Sequence, residues 1–205
     1  VEEMTGHFLM FNEMLKTYDQ PLSHKLIKEY HFKLKSGVFE DIANGYPIGE
    51  YKSRRNIVSN ITTALPEDVP QRMTDLLQRY NAIRSPALMD LVKLHVEYET
   101  IHPFQDGNGR TGRIILFKEC LKNGIVPFII SDARKQEYYS ALNRAQTDCC
   151  YDLLHSFFIS EQKAYKELMC GFVLPIDIMS MSEAEKESAD RLRRATHDSA
   201  EGHRW

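Results

Sequence analysis

The phosphate loop GxxxxGK[ST] is nowhere in the sequence, which removes the P-loop NTPases. None of the four cysteines, Cys120, Cys149, Cys150 and Cys170, stands in a CxxC metal pattern. They make no disulfide framework either, and the adjacent Cys149 and Cys150 read as reduced helix residues. Apolar runs of the ~20 residues that span a bilayer are missing, as is any signal peptide. No membrane contact is expected, and the cytoplasm is the default location. Positive charge is not in excess: 26 Lys and Arg stand against 29 Asp and Glu, a formal net charge of -3. No general attraction to nucleic acid follows, so any anion site has to be built locally. A starting methionine is lacking too. The chain opens at Val1 directly in a helical pattern, and native sequence is expected upstream.

What is present suffices for a proper core in one domain, with room for an appendage: 205 residues, 42% of them hydrophobic. Met4, Phe8, Phe11 and Leu15 recur at helical spacing, and so do Leu22, Leu26, Tyr30 and Leu34 ahead of Gly37. Turn residues Gly45, Pro47 and Gly49 lead into "EYKSRRNIVSNITT", where β-branched residues become frequent and a short β-hairpin is predicted. A helix starting near Pro70 turns Val69, Met73, Leu76, Leu77 and Tyr80 inward. The next, "PALMDLVKLHVEYETI", keeps Leu88, Leu91, Leu94 or His95, Tyr98 and Ile101 on one apolar face, with His95 read as a core histidine. "TGRIILFKECLKNG" is helical up to Asn123-Gly124, "IVPFII" is a buried connector broken by Pro127, and helices follow at about 132–147 and 149–171. The tail from Pro175 is charged, with Ser182 and Glu185 as a capping box for a polar helix. The fold class is mainly α with one small hairpin.

Between two of these helices lies "HPFQDGNGRTGR", His102 to Arg113. Gly107 and Gly109 allow positive φ, so the loop N–H groups can converge on one point faced by the start of the next helix. Arg110 and Arg113, one turn apart, add two permanent charges with forked donors, which suits a polyphosphate. Asp106 is out of place beside so much positive charge unless a hard cation stands between them. Mg²⁺ is such a cation, taking one or two protein carboxylates and filling its shell with phosphates and water. His102 can accept a proton near neutral pH. Singly, each residue is ordinary turn chemistry; jointly they are equipment for phosphoryl or nucleotidyl transfer. A zinc or iron site is the alternative, but no second histidine or cysteine stands at ligand spacing.

The stretch matches HxFx[DE]GNGRxxR at every fixed position and on that basis resembles the Fic-domain family. The resemblance extends over about residues 21–162, with the hairpin (about 48–64) as the family's flap and "YYSALNRAQ" as the segment closing its adenine pocket. It implies a helical bundle, domain 1–172, with a β-hairpin flap over the active site, and a separate charged tail at 173–205. It also implies transfer of AMP from Mg-ATP to a hydroxyl side chain of a target protein. His102 would deprotonate that hydroxyl and Asp106 would hold Mg²⁺. The amides of Gly107, Asn108 and Gly109 would take the phosphates, with Arg110 assisting and Arg113 on the γ-phosphate; Thr111 and Gly112 belong to the same nucleotide-binding stretch. Phe104 is read as a core anchor. Tyr138, Tyr139 and Gln146 stand where the family contacts the nucleoside, and Val58, Ser59, Asn60 and Ile61 where the flap covers it. A target segment would dock on the flap edge as an added strand.

The family's inhibitory pattern [ST]xxxE[GN] is not met. The only candidate is Glu201-Gly202, with His197 four places before and Thr196 one place too far. An inhibitory helix is therefore expected upstream of Val1 or in a separate chain, and the chain as it stands is expected to be deregulated and open to self-modification. Rival readings are transfer of another group (UMP, GMP, phosphocholine or a phosphoryl), removal of AMP, or a silent nucleotide-binding switch.

Overall fold

The computed structural model describes residues 2–58 and 61–170, so Ser59, Asn60 and the expectations on the tail, including Ser182, Glu185 and Glu201-Gly202, lie outside the described residues. Apolar spacing becomes helix wherever the sequence shows it. The order is α1 (Glu2–Lys16), α2 (His24–Lys35), a short α3 (Phe39–Ala43), β1 (Ile57–Val58), β2 (Ile61–Thr62), α4 (Val69–Asn81), α5 (Leu88–Ile101) and α6 (Asn108–Lys122). A 3₁₀ turn at Asp132–Arg134, α7 (Lys135–Asp148) and α8 (Tyr151–Cys170) complete it. Local chemistry sets several ends. The Ser23 hydroxyl accepts from Leu26 N–H at 3.2 Å at the start of α2, and the Asp90 carboxylate accepts from Ala87 N–H at 2.9 Å before α5. Pro70 occupies the first turn of α4, where its missing N–H costs nothing.

Helix α5 is the axle. Leu91, Val92, Leu94, Val96, Tyr98 and Ile101 are buried around most of its circumference, and α4, α6, α7 and α8 all pack on it. Burial at about 25 cal/mol per Å² of apolar surface makes this cluster the main source of stability. The hairpin is much shorter than the stretch predicted for it: two residues a strand, antiparallel, with Ile57 opposite Thr62 and Val58 opposite Ile61. Turn residues and side-chain bonds to the core hold the remainder of that segment.

Helix α1 forms as expected but is rotated from the expected face. Of the predicted stripe, Phe11 packs partly buried against the core, whereas Met4, Phe8 and Leu15 are exposed, and the buried residues are Gly6, Met10 and Met14. Gly6 is the reason. A Cβ there would sit 2.0 Å from the Leu34 carbonyl oxygen, so only glycine lets α1 approach the backbone of α2. Gly6→Ala is therefore expected to lower stability by roughly 1–3 kcal/mol, more than alanine's helix propensity returns. Thermal unfolding checks this; an unchanged midpoint would mean α1 does not dock through Gly6.

Candidate active site

The loop between α5 and α6 is shaped by two left-handed residues. Gly107 has φ 78°, as its place before α6 requires, but His102 at the end of α5 also has positive φ, 52°, which is rare for a side chain that gains nothing from it. Asn108 closes the loop: its Oδ1 accepts from Phe104 N–H at 2.7 Å and its Nδ2 donates to Phe104 carbonyl at 2.8 Å. That side chain is spent on the staple, so only its backbone N–H is left for a ligand. The first i to i−4 bond of α6 runs from Thr111 N–H to Gly107 carbonyl, and the amides of Asn108, Gly109 and Arg110 precede it. Thr111 and Gly112, expected within the nucleotide-binding stretch, are packing positions. The Thr111 hydroxyl also donates to Gly107 carbonyl, and a Cβ on Gly112 would meet Glu99 Oε1 at 2.3 Å and the Tyr98 ring at 3.1 Å.

Two buried layers support this loop, and neither was singled out from the sequence. On the α2 side, the His31 ring stacks on Phe104 at 3.9 Å and 4°. Its Nδ1 accepts from Gly49 N–H at 2.9 Å, so its Nε2 is the protonated nitrogen and donates to Asp106 carbonyl at 3.0 Å. Lys35, one turn on, places Nζ 2.6 Å from Asp106 Oδ2 and pairs with the buried Asp41. On the flap side, Lys52 N–H donates to Pro103 carbonyl at 2.8 Å. The Lys52 ammonium reaches Asn56 Oδ1 at 2.6 Å and Thr63 Oγ1 at 3.1 Å. Asn56 Nδ2 in turn donates to Phe104 carbonyl at 2.9 Å. Phe104 itself is fully buried, the core anchor that its place in the motif suggested.

In front of the loop opens a cavity of about 620 Å³, lined by Val58, Ile61, Glu99, His102, Tyr138, Tyr139 and Gln146 among others. The structure thus brings together the described flap residues, the imidazole and the three residues of the adenine segment. They differ in standing. Tyr138 is a core residue, with its hydroxyl 2.8 Å from His95 Nε2, while Tyr139 is half-exposed and offers a ring. Gln146 donates to Thr100 Oγ1 at 3.2 Å. Arg110 and Arg113 instead line a second, apolar cavity of about 200 Å³ with His7, Phe11, Phe117 and Phe128. Arg110 is engaged by Glu3 Oε1 at 3.0 Å and Asp106 Oδ2 at 3.3 Å. Arg113 folds back along its own helix beside Gly109.

The electrostatics divide the site. Burial pushes His102 down to about 4, with Lys52 acting the same way against the Glu99 carbonyl and Asp106. Its Nδ1 lies 3.9 Å from Glu99 Oε2. Burial pushes that carboxyl up to about 7, and Arg113 opposes this. Glu99 is thus a titratable neighbour of His102; α5 also carries Asp90, Lys93 and Glu97, so nothing in the sequence sets this glutamate apart. Burial also raises Asp106, but the Lys35 ammonium, the Gly107 amide and Arg110 outweigh it and hold the carboxyl below its ordinary value.

Among the described residues no group of three or more His, Cys, Asp or Glu could hold a metal. The donor set fits Mg²⁺ in one way only: a single carboxylate, Asp106, with the remaining positions filled by phosphate oxygens and water. The 620 Å³ cavity has the room and the aromatic wall a nucleoside needs.

A helical bundle with a short flap, and with a histidine and a glycine-asparagine-glycine turn at one helix junction, defines a recognisable class of domain. Residues 21–119, just under half of the chain, match the family model described as Fic/DOC family, so that stretch is a domain of the Fic/DOC family. The protein adenylyltransferase Fic of Nematostella vectensis is 29% identical over 110 residues, covering 51% of this chain and 26% of that protein. A protein adenylyltransferase of Caenorhabditis briggsae is 30% identical over 110 residues, with 51% and 22% covered. This chain therefore spans only about a quarter of the length of these curated relatives. A Fic-domain-containing signaling protein from Bacteroides thetaiotaomicron superimposes with a TM-score of 0.69 at 24% identity, over 82% of this chain and 70% of that one.

Three buried histidines set the response to acid. His31 and His102 are held at about 4 and His95 at about 3, all chiefly by burial. Below pH 6.5 the unfolded chain takes up protons that the folded one refuses, so stability falls as pH falls. Glu99, held at about 7, works in reverse between pH 7 and 4.5. With three groups against one, the unfolded chain binds roughly two protons more, a slope of up to ~2.7 kcal/mol per pH unit between pH 6.5 and 4.5. Urea unfolding at a series of pH values checks this; a flat profile over that range would place the imidazoles in water.

Proposed function

We propose that the chain is the catalytic domain of a protein adenylyltransferase, moving AMP from Mg-ATP to a Ser, Thr or Tyr hydroxyl of a target protein. The observation that carries this is His102, kept neutral by burial and turned by left-handed backbone onto the cavity that Tyr139, Gln146 and the flap enclose. The names of the curated relatives point the same way.

In this reading His102 accepts the proton of the incoming hydroxyl as its oxygen bonds to the α-phosphorus. The bond from that phosphorus to the bridging oxygen breaks, and the electron pair leaves with pyrophosphate. A base of low pKa is a modest proton acceptor, but this one is wholly in its accepting form at neutral pH. The amides that open α6 receive phosphate oxygens, with the helix dipole behind them. Bound Mg²⁺ supplies charge neutralisation of the phosphates, held by Asp106. Arg110 exchanges Glu3 for phosphate, and Arg113 swings from its own helix to the end of the chain of phosphates. The flap edge, where Ile57 is exposed, accepts the target as an added strand. The same chemistry on its own surface would give self-modification. An inhibitory helix, if one acts, comes from upstream of Val1 or from another chain.

Incubation with α-labelled and γ-labelled ATP and Mg²⁺ tests the reading. The α label is expected on protein, and His102→Ala should lower its transfer by roughly 10²- to 10⁴-fold with ATP binding retained. Attachment of the γ label alone would overturn the assignment, and so would equal transfer by both forms. Glu3→Gln is expected to tighten ATP binding by a few-fold, because Arg110 then reaches phosphate without breaking an ion pair. Calorimetric titration reads that change; weaker binding would show that Glu3 does not compete.

A further inference from the structure

The group that sits on the motif carboxylate is an ammonium. The Lys35 side chain is only 3% exposed, and its Nζ lies 2.6 Å from Asp106 Oδ2. It cannot easily move off. Asp41, itself buried, pairs with it. The Lys35 stem runs beneath the loop, 3.5 Å from where a Cβ on Gly107 would stand. Arg110 Nη2 reaches the same Oδ2 at 3.3 Å, so two cations share one carboxylate oxygen. Glu3 completes the cluster at 3.5 Å from Lys35 and 3.0 Å from Arg110, and its side chain is mostly exposed.

We propose that Lys35 is a positioning residue, a resident cation of the Asp106 carboxylate, so that the site takes up a divalent metal together with nucleotide phosphates and excludes the bare ion. The inference rests on the reading of Asp106 as the metal ligand. A dication arriving alone finds one carboxylate, already neutralised on Oδ2, and two like charges close by; Coulomb repulsion at such distances is several-fold stronger than in water. Phosphate oxygens remove the obstacle. They supply the missing ligands and the negative charge that Lys35 and Arg110 have taken from Asp106. Lys35 also fixes the carboxylate rotamer, so the ligand geometry exists before the nucleotide arrives.

Mn²⁺ titrated alone, with the free ion read by electron paramagnetic resonance, separates the possibilities. The proteins compared are wild type, K35M/D41N, and K35M/D41N with D106N added; Asp41 is neutralised with Lys35 so that no buried charge is left unpaired. K35M/D41N is expected to bind Mn²⁺ about tenfold or more tighter than wild type, and adding D106N to abolish the gain. Equal affinity in wild type and K35M/D41N overturns the resident-cation proposal and leaves the metal reading standing. A gain that survives D106N overturns both, because the ion then binds elsewhere. If thermal unfolding shows K35M/D41N to be misfolded, K35Q/D41N removes the same charge with hydrogen-bonding groups in place, and the same comparison decides.

Discussion

A neutral imidazole buried between two stretches of backbone keeps the site in shape. His31 accepts from the Gly49 amide before the flap and donates to the Asp106 carbonyl in the motif loop, while its ring lies flat on Phe104. The bond accepted from Gly49 needs the uncharged ring, and burial, which pushes the imidazole down to about 4, keeps it so. An imidazolium would turn the acceptor nitrogen into a donor facing the Gly49 N–H. The loop therefore inherits its geometry from a helix about seventy residues earlier in the chain, and the flap root is tied to the loop through the same ring. What the loop does for a ligand depends on that connection.

Charge is then sorted on either side of the loop. Towards the open cavity, His102, Glu99 and Lys52 are buried with few compensating charges, and each is shifted towards its neutral form, to about 4, about 7 and about 8. Towards α1 and α2, Asp106, Lys35, Arg110, Asp41 and Glu3 are ion-paired, and the pairing holds Asp106 and Glu3 below, and Lys35 above, their ordinary values. The difference is physical: an unpaired buried group sheds its charge, and a paired one keeps it. A region of neutral-leaning groups and a region of paired charges are built a few residues apart by that rule.

The sequence shows the motif plainly, because its chemistry is concentrated in twelve consecutive residues, and it shows the helices because their apolar periods are long. The flap, adenine-segment and imidazole positions that line the cavity were also legible, through resemblance. The residues behind the loop were not. His31 and Lys35 sit on an ordinary amphipathic helix, Lys52 in a turn-rich stretch and Glu99 on a helix that also carries Asp90, Lys93 and Glu97; nothing local marks them. Their role comes from packing against a loop distant in sequence. Helix α1 misled for a related reason: spacing gives the stripe of Met4, Phe8, Phe11 and Leu15, of which only Phe11 packs against the core, because Gly6 decides which face docks.

The two motif arginines bring these strands together. One helical turn apart at the start of α6, both line the narrow apolar cavity and not the wide one beside His102. Arg110 is held by two carboxylates, whereas Arg113 lies along its own backbone, close enough to Glu99 and Tyr138 to influence their ionisation. Arg113 is therefore the cheaper to recruit: among the described residues it makes no salt bridge and gives up only a hydrogen bond to Tyr138, while Arg110 has to be released from Glu3. An anion settling on the α6 amides would draw Arg113 first and Arg110 only by exchange of partners. The ion pairs are thus gathered beside the wide cavity rather than in it, and the imidazole that lines it is held in its neutral form by burial.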